Sequence, residues 1–546
     1  MMRALGFIAY ATLATVLPAL VVAWNMGAMA PFWFLAGDAY LYLGIGQSSE
    51  GLSMSFDSLR NTNGFHPLWQ IWVRLMVGLT GSPLGALAAV AYSAIAFTLG
   101  GVLILGAAIH RFTGSWLLAM LAVPGAYFLI IGQALQNLPV WSFFDGMDGG
   151  MAFFFAACLA WLIAGVNGPD DPHRRWQYIG LTLAALVLTR LDEVFVPMAL
   201  SIVVVFWPGR PLTRRIRDAA WLSGPSAIAV AVFVGWSYAT TGHLAPVSGA
   251  AKGEGALFAN SWVALATFFA PLIELREGLT SYQAAREALL GGAFRVVELI
   301  VPALFAVGFF TAILRRYRQA PWAPLLVGLC AGIIIKGVYN LAAVNFWHQA
   351  SWYFALAMMV MTLGCAIILA PAVKRMSPSS VTLTACVLGG LTLLHASLWS
   401  ATLMTDPTRP HQRDFWLDRG QIQTALLTLD PDVQIMEFGD GLLNYSFDFP
   451  VRHGFVFAGD AQSLSALRES RLLHDGYSDG FTVLSSFEYL RVPDGAEDWD
   501  SAQIRSFLME SFLDRRVKAE LASFDFDMLY VHRPSGAPFV RFIPRQ

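Results

Sequence analysis

A polar stretch close to the start of the chain, residues 37–69, holds the residue types best suited to chemistry. Its lone carboxylate, Asp38, is followed by two aromatic residues, Tyr40 and Tyr42. A carboxylate beside an apolar wall can serve as a general base for an attacking hydroxyl, and burial raises its pKa towards that role. A structural role is equally open, because Asp38 would also cap a short helix over 39–47.

The same stretch ends in a dense motif that contains Asn63, His66, Pro67 and Trp69. Pro67 suits the first turn of a helix and Asn63 suits its cap, and Trp69 fits an interfacial aromatic belt. These structural roles leave His66 unexplained. An imidazole at the mouth of a span could bind a phosphate or a substrate hydroxyl. Tyr40 and Asn63 are counted with His66 as substrate-binding candidates.

Two further clusters carry charge. The sequence DGMDGG over 145–150 places Asp148 at the start of an apolar run, where it could be a second site carboxylate that orients an acceptor or holds a cation. Arg190, in the TRLDE motif, has the planar fork that suits phosphate recognition. The structural alternatives are a helix start with acids near the positive dipole end and the polar tip of a helical hairpin.

Two loops complete the set of candidate residues. His243 and Lys252 lie in a small-residue loop and are plausible partners of a phosphate. His348, Trp352 and Tyr353 lie between two apolar runs, where aromatic faces could stack on a sugar ring. An ordinary exposed loop and an aromatic belt at the membrane interface are the alternatives.

The composition tells what must position these residues. Of the 546 residues 56% are hydrophobic and 13% are charged, with a mean hydropathy of +0.56. Soluble chains carry about 25% charged residues, so this is an integral membrane protein. The net charge of −2 gives no reason to expect a nucleic-acid partner. All four cysteines fall in apolar runs, which favours buried thiols over disulfides or a metal site.

Apolar runs of roughly 17–25 residues predict about eleven membrane spans. The first is a retained anchor rather than a cleaved signal peptide. The runs 66–81, which contains Arg74, and 258–273 are short and are interpreted as doubtful and interfacial, respectively. The eleven predicted spans are 5–28, 85–109, 115–133, 151–166, 177–189, 194–208, 219–239, 293–313, 322–343, 352–372 and 380–402.

Lysine and arginine clusters orient these spans, because short cytoplasmic loops are enriched in positive charge. From residue 151 onward the clusters fall in alternate loops, which places 190–193, 243–252, 345–351 and the tail after 402 outside. Asp38 and Asp148 can share that side only if the short run 66–81 or part of 115–133 does not fully cross. The clusters assigned to the cytoplasm are Arg3, Arg174–Arg175, Arg210 with Arg214, Arg215 and Arg217, Arg315 with Arg316 and Arg318, and Lys374–Arg375.

The composition changes after residue 402. Residues 1–402 form the predicted transmembrane domain, with a large first external loop over 30–65, and 403–546 form a predicted external α/β domain. The segments VQIMEF, FVFAG and FTVLSS alternate as strands do. Segments 419–428, 461–474 and 500–523 have helical periodicity. The predicted fold class is therefore an α-helical polytopic membrane protein with a soluble C-terminal domain.

In this order, these residues resemble the C-type membrane glycosyltransferases, and within them the bacterial arabinofuranosyltransferase-like and mannosyltransferase-like branch. The first-loop motif is the most specific match, and the resemblance covers most of the chain. The matching elements are Asp38-Ala39-Tyr40, Gly64 to Trp69, Gly146-Met147-Asp148, Arg190, Pro246 to Lys252, Trp352-Tyr353 and Gly441 to Tyr445.

The resemblance implies an inverting transferase that takes a sugar from a polyprenyl-phosphate donor to a glycan, lipid or protein acceptor. The site and the tail would lie on the outer side of a bacterial inner membrane. Asp38 would be the base, and Arg190, Lys252 and His66 would hold the departing lipid phosphate. A divalent cation is left open, since many relatives carry two adjacent acids where this chain has Gly37-Asp38, and Asp148 is shorter than the Glu that is common there.

Two other functions fit a membrane protein of this kind. A transporter or flippase of lipid-linked saccharides should show a repeated topology and charges buried in mid-span, and the sequence shows neither clearly. An inactive relative that serves as a scaffold is the other alternative. The presence of Asp38, His66 and Arg190 argues against it.

Overall fold

The computed structural model describes residues 2–126, 143–166, 173–208, 211–252, 311, 315, 317–343, 353, 355–406, 408–439, 441–454, 460–486, 490–511 and 515–545. The first part of the chain is helical. Its helices are α1 (Met2–Met26), α2 (Pro31–Phe34), α3 (Gly37–Ser48), α4 (Pro67–Thr80), α5 (Pro83–Thr113), α6 (Trp116–Ala119), α7 (Gly149–Ala164), α8 (His173–Thr189), α9 (Phe195–Phe206), α10 (Leu212–Thr241), α11 (Val247–Lys252), α12 (Ala323–Ala343), α13 (Ala355–Val373) and α14 (Pro378–Thr405).

The structure confirms a multi-pass helical membrane protein. Among the described residues, five helices are long and apolar enough to cross a bilayer, namely α1, α5, α10, α13 and α14. Three shorter apolar helices cover Trp116–Ala126, Gly149–Ala164 and Ala323–Tyr339. Run 258–273 and all of run 293–313 except Thr311 lie outside the described residues, so the count of eleven spans stays a prediction.

Helix α4, the doubtful run of the sequence, lies beside the first loop. Its 14 residues reach about 21 Å, less than the roughly 30 Å of a hydrocarbon core. The Gln70 side-chain amide donates to the Tyr42 carbonyl at 3.1 Å, and Arg74 donates to the Ser49 carbonyl at 3.3 Å. Both bonds tie α4 to α3 along its length. Helix α4 is thus short and tied to α3, and whether this run or part of 115–133 fails to cross the membrane fully stays a prediction.

The C-terminal part is built on one mixed five-stranded sheet, with strand order β2-β1-β3-β5-β4. Strand β1 pairs in parallel with β2 and β3, whereas β5 pairs antiparallel with β3 and β4. Its elements are α15 (Thr408–Leu429), β1 (Ile435–Glu437), α16 (Leu442–Ser446), β2 (Val451–His453), α17 (Ala461–Arg468), α18 (Leu472–Ser478), β3 (Val483–Ser485), α19 (Ser501–Ser511), α20 (Arg515–Leu521), β4 (Phe524–His532) and β5 (Ala537–Pro544).

The sequence prediction for this part is incomplete. It places β1 and β3 correctly, but it misses β2, β4 and β5. It also joins α17 to α18, which are separated at Ser470, a residue with a left-handed φ of 54° that ends a helix. The predicted strand over 455–459 lies outside the described residues, as does the segment between α19 and α20. The boundary at 402/403 stays a prediction.

The C-terminal part packs directly on the helix that carries Asp38. The Asn444 side-chain amide of α16 donates to the Phe56 carbonyl at 2.6 Å. A Cβ at Gly44 of α3 would lie only 2.3 Å from the Asn444 side-chain oxygen. The tail therefore forms one wall against which α3 is fixed.

A buried carboxylate sets the start of α16. Glu437, at the end of β1, accepts hydrogen bonds from the amides of residues 441, 443 and 444 at 3.0, 3.2 and 3.1 Å. These are amides that a helix start leaves without an intrahelical partner. Burial raises the pKa of Glu437 to about 7, against the opposing effect of these three bonds.

Ion pairs join the first loop to the sheet. Arg60 of the loop contacts the Asp479 carboxylate at 2.8 Å, and Arg452 of β2 contacts the same carboxylate at 2.9 Å. Arg452 also lies 3.7 Å from Asp57 in the loop. The loop that follows α3 is thus attached to the tail at a second place.

Substitution of Gly441 tests whether this packing positions α3. Gly441 has a φ of +87°, and a Cβ there would lie 2.8 Å from the Leu41 amide nitrogen. Gly441→Ala should therefore combine left-handed strain, about 1–2 kcal/mol, with overpacking of about 1–3 kcal/mol. We expect a lower midpoint in thermal unfolding and a loss of the sugar transfer that the resemblance implies.

Gly495→Ala is the matched control. Gly495 has a similar φ of +85°, but nothing lies within 4 Å of an added Cβ. Gly495→Ala should lower the midpoint of thermal unfolding only by the effect of the strain, and it should keep the sugar transfer. Equal effects of the two substitutions would contradict a positioning role of the contact between Gly441 and α3.

Candidate active site

A cavity of about 60 Å³ lies at the amino-terminal end of α3. This volume has room for several water molecules. The residues around it come from the first loop and from three of the other polar clusters of the sequence. They are Asp38, Leu41, Tyr42 and Ile45 of α3, Gly64, Phe65 and His66 before α4, Met147 and Asp148 before α7, Ser248 of α11, and Tyr353.

Asp38 lies in the first turn of α3. The helix begins at Gly37 with Ala36 as its N-cap, so Asp38 is part of the helix and does not cap it. The expectation of a helix that starts at residue 39 is corrected accordingly. A carboxylate in a first turn is stabilised by the helix dipole. Asp38 is half-buried and its neighbours Gly37 and Ala39 are buried, which leaves the carboxylate at the cavity wall.

A tight turn holds the start of α3 in place. The Ala36 amide donates to the Asp145 carbonyl at 2.8 Å. Gly146 in the same turn has a φ of +76°, and a Cβ there would lie 2.1 Å from the Leu35 side chain. The turn before α7 and the turn before α3 are therefore packed backbone to backbone. This contact brings Asp148 to the cavity that Asp38 lines.

His66 occupies the N-cap position of α4. Its Nδ1 accepts a hydrogen bond from the Leu191 amide at 3.3 Å. With Nδ1 as the acceptor, the neutral ring carries its proton on Nε2. His66 is half-buried and lines the cavity, so it can contribute a donor to a bound oxygen.

Asp148 and Arg190 form a fully buried ion pair. Arg190 Nη1 lies 2.6 Å from Asp148 Oδ2, and both side chains are at most 1% exposed. The guanidinium carbon lies 4.2 Å from the centre of the Tyr353 ring, a cation–π contact. Asp148 and Tyr353 line the cavity, whereas Arg190 lies behind them. The structure thus brings the three residues together but does not place Arg190 at the cavity wall.

Three charged residues behind the cavity were given no role from the sequence. Lys336 of α12 lies 2.9 Å from Asp192 and 2.7 Å from Glu193. The sequence did contain a signal for Lys336, since it is a lone lysine in the apolar run 322–343. Ionisable residues in such runs are rare and usually functional.

Burial and charge shift the pKa values around the cavity. Burial raises the pKa of Tyr42 well above its usual value, and the nearby Asp148 adds to this shift. Burial also raises the pKa of Asp145 well above its usual range, against the opposing hydrogen bond from the Met147 amide. For Asp192, burial opposes ionisation, but Arg190 and Lys336 outweigh it and hold the pKa well below its usual range.

Two predicted site residues lie at packing interfaces instead. Asn63 is fully buried, and its amide donates to the Ser237 hydroxyl at 2.5 Å and to the Ala245 carbonyl at 3.0 Å. The Asn63 side-chain oxygen accepts from the Val247 amide at 2.8 Å. Asn63 therefore joins the first loop to the loop before α11. Tyr40 is also fully buried, with its ring 6.2 Å from that of Tyr445.

The other predicted residues are placed only in part. His243 is exposed in the turn after α10 and does not line the cavity. Lys252 ends α11, the helix that contributes Ser248 to the cavity, but its side chain is not among those described. His348 and Trp352 lie outside the described residues. Their predicted roles in substrate binding stay predictions.

The donor set around the cavity does not suit a metal held by the protein. Among the residues that the structure describes, no three His, Cys, Asp or Glu side chains come together in a way that could hold a metal ion. Asp148, one of the two carboxylates that line the cavity, is already engaged by Arg190.

No protein-family model matches this sequence, and no curated protein matches it significantly. Among solved structures, the chain is similar to the archaeal oligosaccharyltransferase AglB from Archaeoglobus fulgidus, solved with an inhibitory peptide and a dolichol-phosphate. The identity is 10% and the TM-score 0.49, over 100% of this chain and 74% of that one. It is also similar to ArnT from Cupriavidus metallidurans bound to undecaprenyl phosphate, with 11% identity, a TM-score of 0.49 and 97% of each chain covered. Likeness at this level says nothing about which reaction this chain carries out.

Proposed function

We propose that the chain is an inverting glycosyltransferase that moves a sugar from a polyprenyl-phosphate donor to a glycan, lipid or protein acceptor. The observation that carries this proposal is the cavity that Asp38 and His66 line together with Asp148 and Tyr353. It combines a base, a hydrogen-bond donor and an aromatic ring, and the first-loop motif around it resembles the C-type transferases. The site and the tail would lie on the outer face of a bacterial inner membrane.

The proposed reaction is a single displacement at the anomeric carbon. Asp38 takes the proton of the acceptor hydroxyl as the hydroxyl oxygen attacks that carbon. The bond between the anomeric carbon and the phosphate oxygen breaks, and polyprenyl phosphate leaves with the bonding electron pair. Attack opposite to the leaving group inverts the anomeric configuration.

Stabilisation of the departing phosphate would be the larger catalytic contribution. His66 is the described cavity residue best suited to it, through a donor on Nε2. Lys252 ends the helix that contributes Ser248 to the cavity and would supply a positive charge from that side. Arg190 Nη1 already contacts the Asp148 carboxylate. Arg190 could therefore bind the phosphate directly only if it gave up that contact.

A transfer assay separates this proposal from a transporter or flippase. The full-length protein would be reconstituted in liposomes with a panel of polyprenyl-phosphate sugars and candidate acceptors, and the products followed by mass spectrometry. We expect free polyprenyl phosphate and a glycosylated acceptor to appear together, and only when both substrates are present. Movement of intact donor across the bilayer without either product would support transport and contradict the proposal.

A further inference from the structure

Lys336 is a charge inside an apolar helix. It lies in α12, seven residues before the end at Ala343, and its side chain is 9% exposed. At 1.5 Å per residue this is about 10 Å from the helix end. An ammonium group without partners would be strongly destabilising in such surroundings. The protein therefore has to provide partners for it.

Three oxygens surround the ammonium group. Lys336 Nζ lies 2.9 Å from Asp192 Oδ2, 2.7 Å from Glu193 Oε1 and 3.1 Å from the Tyr353 carbonyl. A lysine has three donors, and this arrangement uses all of them. Two of the oxygens belong to the turn Leu191–Val194 and the third to a residue that lines the cavity.

The contacts continue from Lys336 to the cavity wall. Asp192 Oδ1 faces Arg190 Nε at 3.2 Å, and Arg190 Nη1 contacts Asp148 at 2.6 Å. The amide of Leu191, in the same turn, donates to His66 Nδ1 at 3.3 Å. Lys336 thus supports both polar groups on this side of the cavity without touching the cavity itself.

Lys336 supplies half of the positive charge in this buried group. Two cations, Arg190 and Lys336, face three carboxylates, Asp148, Asp192 and Glu193. Burial raises the pKa of Glu193, whereas the nearby Lys336 ammonium opposes that shift. Loss of Lys336 would leave Arg190 as the single cation beside the three carboxyl groups.

We infer that Lys336 is a positioning residue for the cavity. Lys336 acts on Asp148 through Asp192 and Arg190. It acts on His66 through the turn Leu191–Val194. This inference rests on the proposed function for its catalytic consequence. The structural link from Lys336 to the cavity can be measured without any activity. The titratable groups that face this network are Asp148, Asp192, Glu193, Arg190, His66 and Tyr353.

The first test is hydrogen–deuterium exchange of the full-length protein in nanodiscs. In Lys336→Met the segment 190–194 should exchange about tenfold faster than in the wild type, because the turn loses its partner. The C-terminal sheet should be unchanged. Unaltered exchange in 190–194 would overturn the inference, whether or not the protein transfers sugar.

The second test is the pH profile of kcat/KM for sugar transfer. Lys336→Met should lower kcat/KM about 100-fold at neutral pH, the effect of a misplacement of about 1 Å. The acid limb of the profile should move to higher pH by about 1 to 3 units, because Asp192 loses one of the two cations that lower its pKa. A shift of that size is usual when a carboxylate loses an opposite charge within 4–6 Å. Lys336→Arg should restore the profile, and Tyr339→Phe, on the exposed side of the same helix, should leave it unchanged.

The double variant Lys336→Met with Glu193→Gln separates positioning from stability. It removes one surplus buried carboxyl and should recover most of the lost thermal stability. Asp192 still lacks one of its two cations, so the shifted acid limb should remain. A wild-type profile in the stably folded double variant would overturn the inference. Absence of sugar transfer in the wild type would overturn the proposed function instead, and the exchange experiment alone would then decide on Lys336.

Discussion

Asp38→Asn is expected to fold like the wild type and to lose sugar transfer, with kcat lowered by about 10²- to 10⁴-fold, the usual contribution of a general base. The amide has nearly the same shape as the carboxylate but cannot accept the proton of the attacking hydroxyl. Asp38 is half-buried in the first turn of α3 and lines the cavity. Single-turnover measurements with saturating donor and acceptor would report this step.

Asp145→Asn is the matched control for Asp38. Asp145 belongs to the turn that contacts the start of α3, and burial raises its pKa well above the usual range. An asparagine has nearly the same shape, and its side-chain oxygen can still accept from the Met147 amide, a bond of 2.9 Å. This variant should keep its activity. Full turnover of Asp38→Asn would show that the base is a different group.

Arg190→Met is expected to lower the free energy of unfolding by about 3–5 kcal/mol, the cost of breaking a buried ion pair by removing one partner. The substitution leaves Asp148 without its contact of 2.6 Å and removes one of the two cations beside Asp192. Sugar transfer should fall as well, because Asp148 and the ring of Tyr353 lose the group that orders them. Chemical unfolding in mixed micelles would measure the loss of stability.

A second substitution tests whether the unpaired carboxylate causes this loss. The double variant Arg190→Met with Asp148→Asn should recover most of the lost stability, because it no longer buries a charge without its partner. An unchanged free energy of unfolding in the single variant would contradict the account of a buried pair.

Local chemistry in the sequence predicts much of this site. Asp38, His66, Asp148 and Tyr353 stand out as polar or aromatic groups at the ends of apolar runs, and all four line one cavity. The membrane character follows from composition alone. Both predictions depend on short-range patterns, which a single sequence contains in full.

The remaining features depend on contacts between segments that are distant in the chain. Lys336 meets Asp192 and Glu193 across more than 140 residues, and no local pattern indicates that pairing. Tyr40 and Tyr42 are two residues apart on α3, yet only Tyr42 lines the cavity, because α16 covers Tyr40 through Tyr445. The face of α3 that α16 covers decides which of the two tyrosines lines the cavity. The composition of the sequence does not indicate which face that is.

The stereochemistry of the product tests the central claim most directly. The reconstituted protein would be given a polyprenyl-phosphate sugar of known anomeric configuration, and the bond formed to the acceptor would be assigned by NMR. A single displacement by a hydroxyl that Asp38 deprotonates predicts inversion, with one polyprenyl phosphate released for each sugar transferred. Retention of configuration, or recovery of the donor intact under conditions where it has crossed the membrane, would contradict this account.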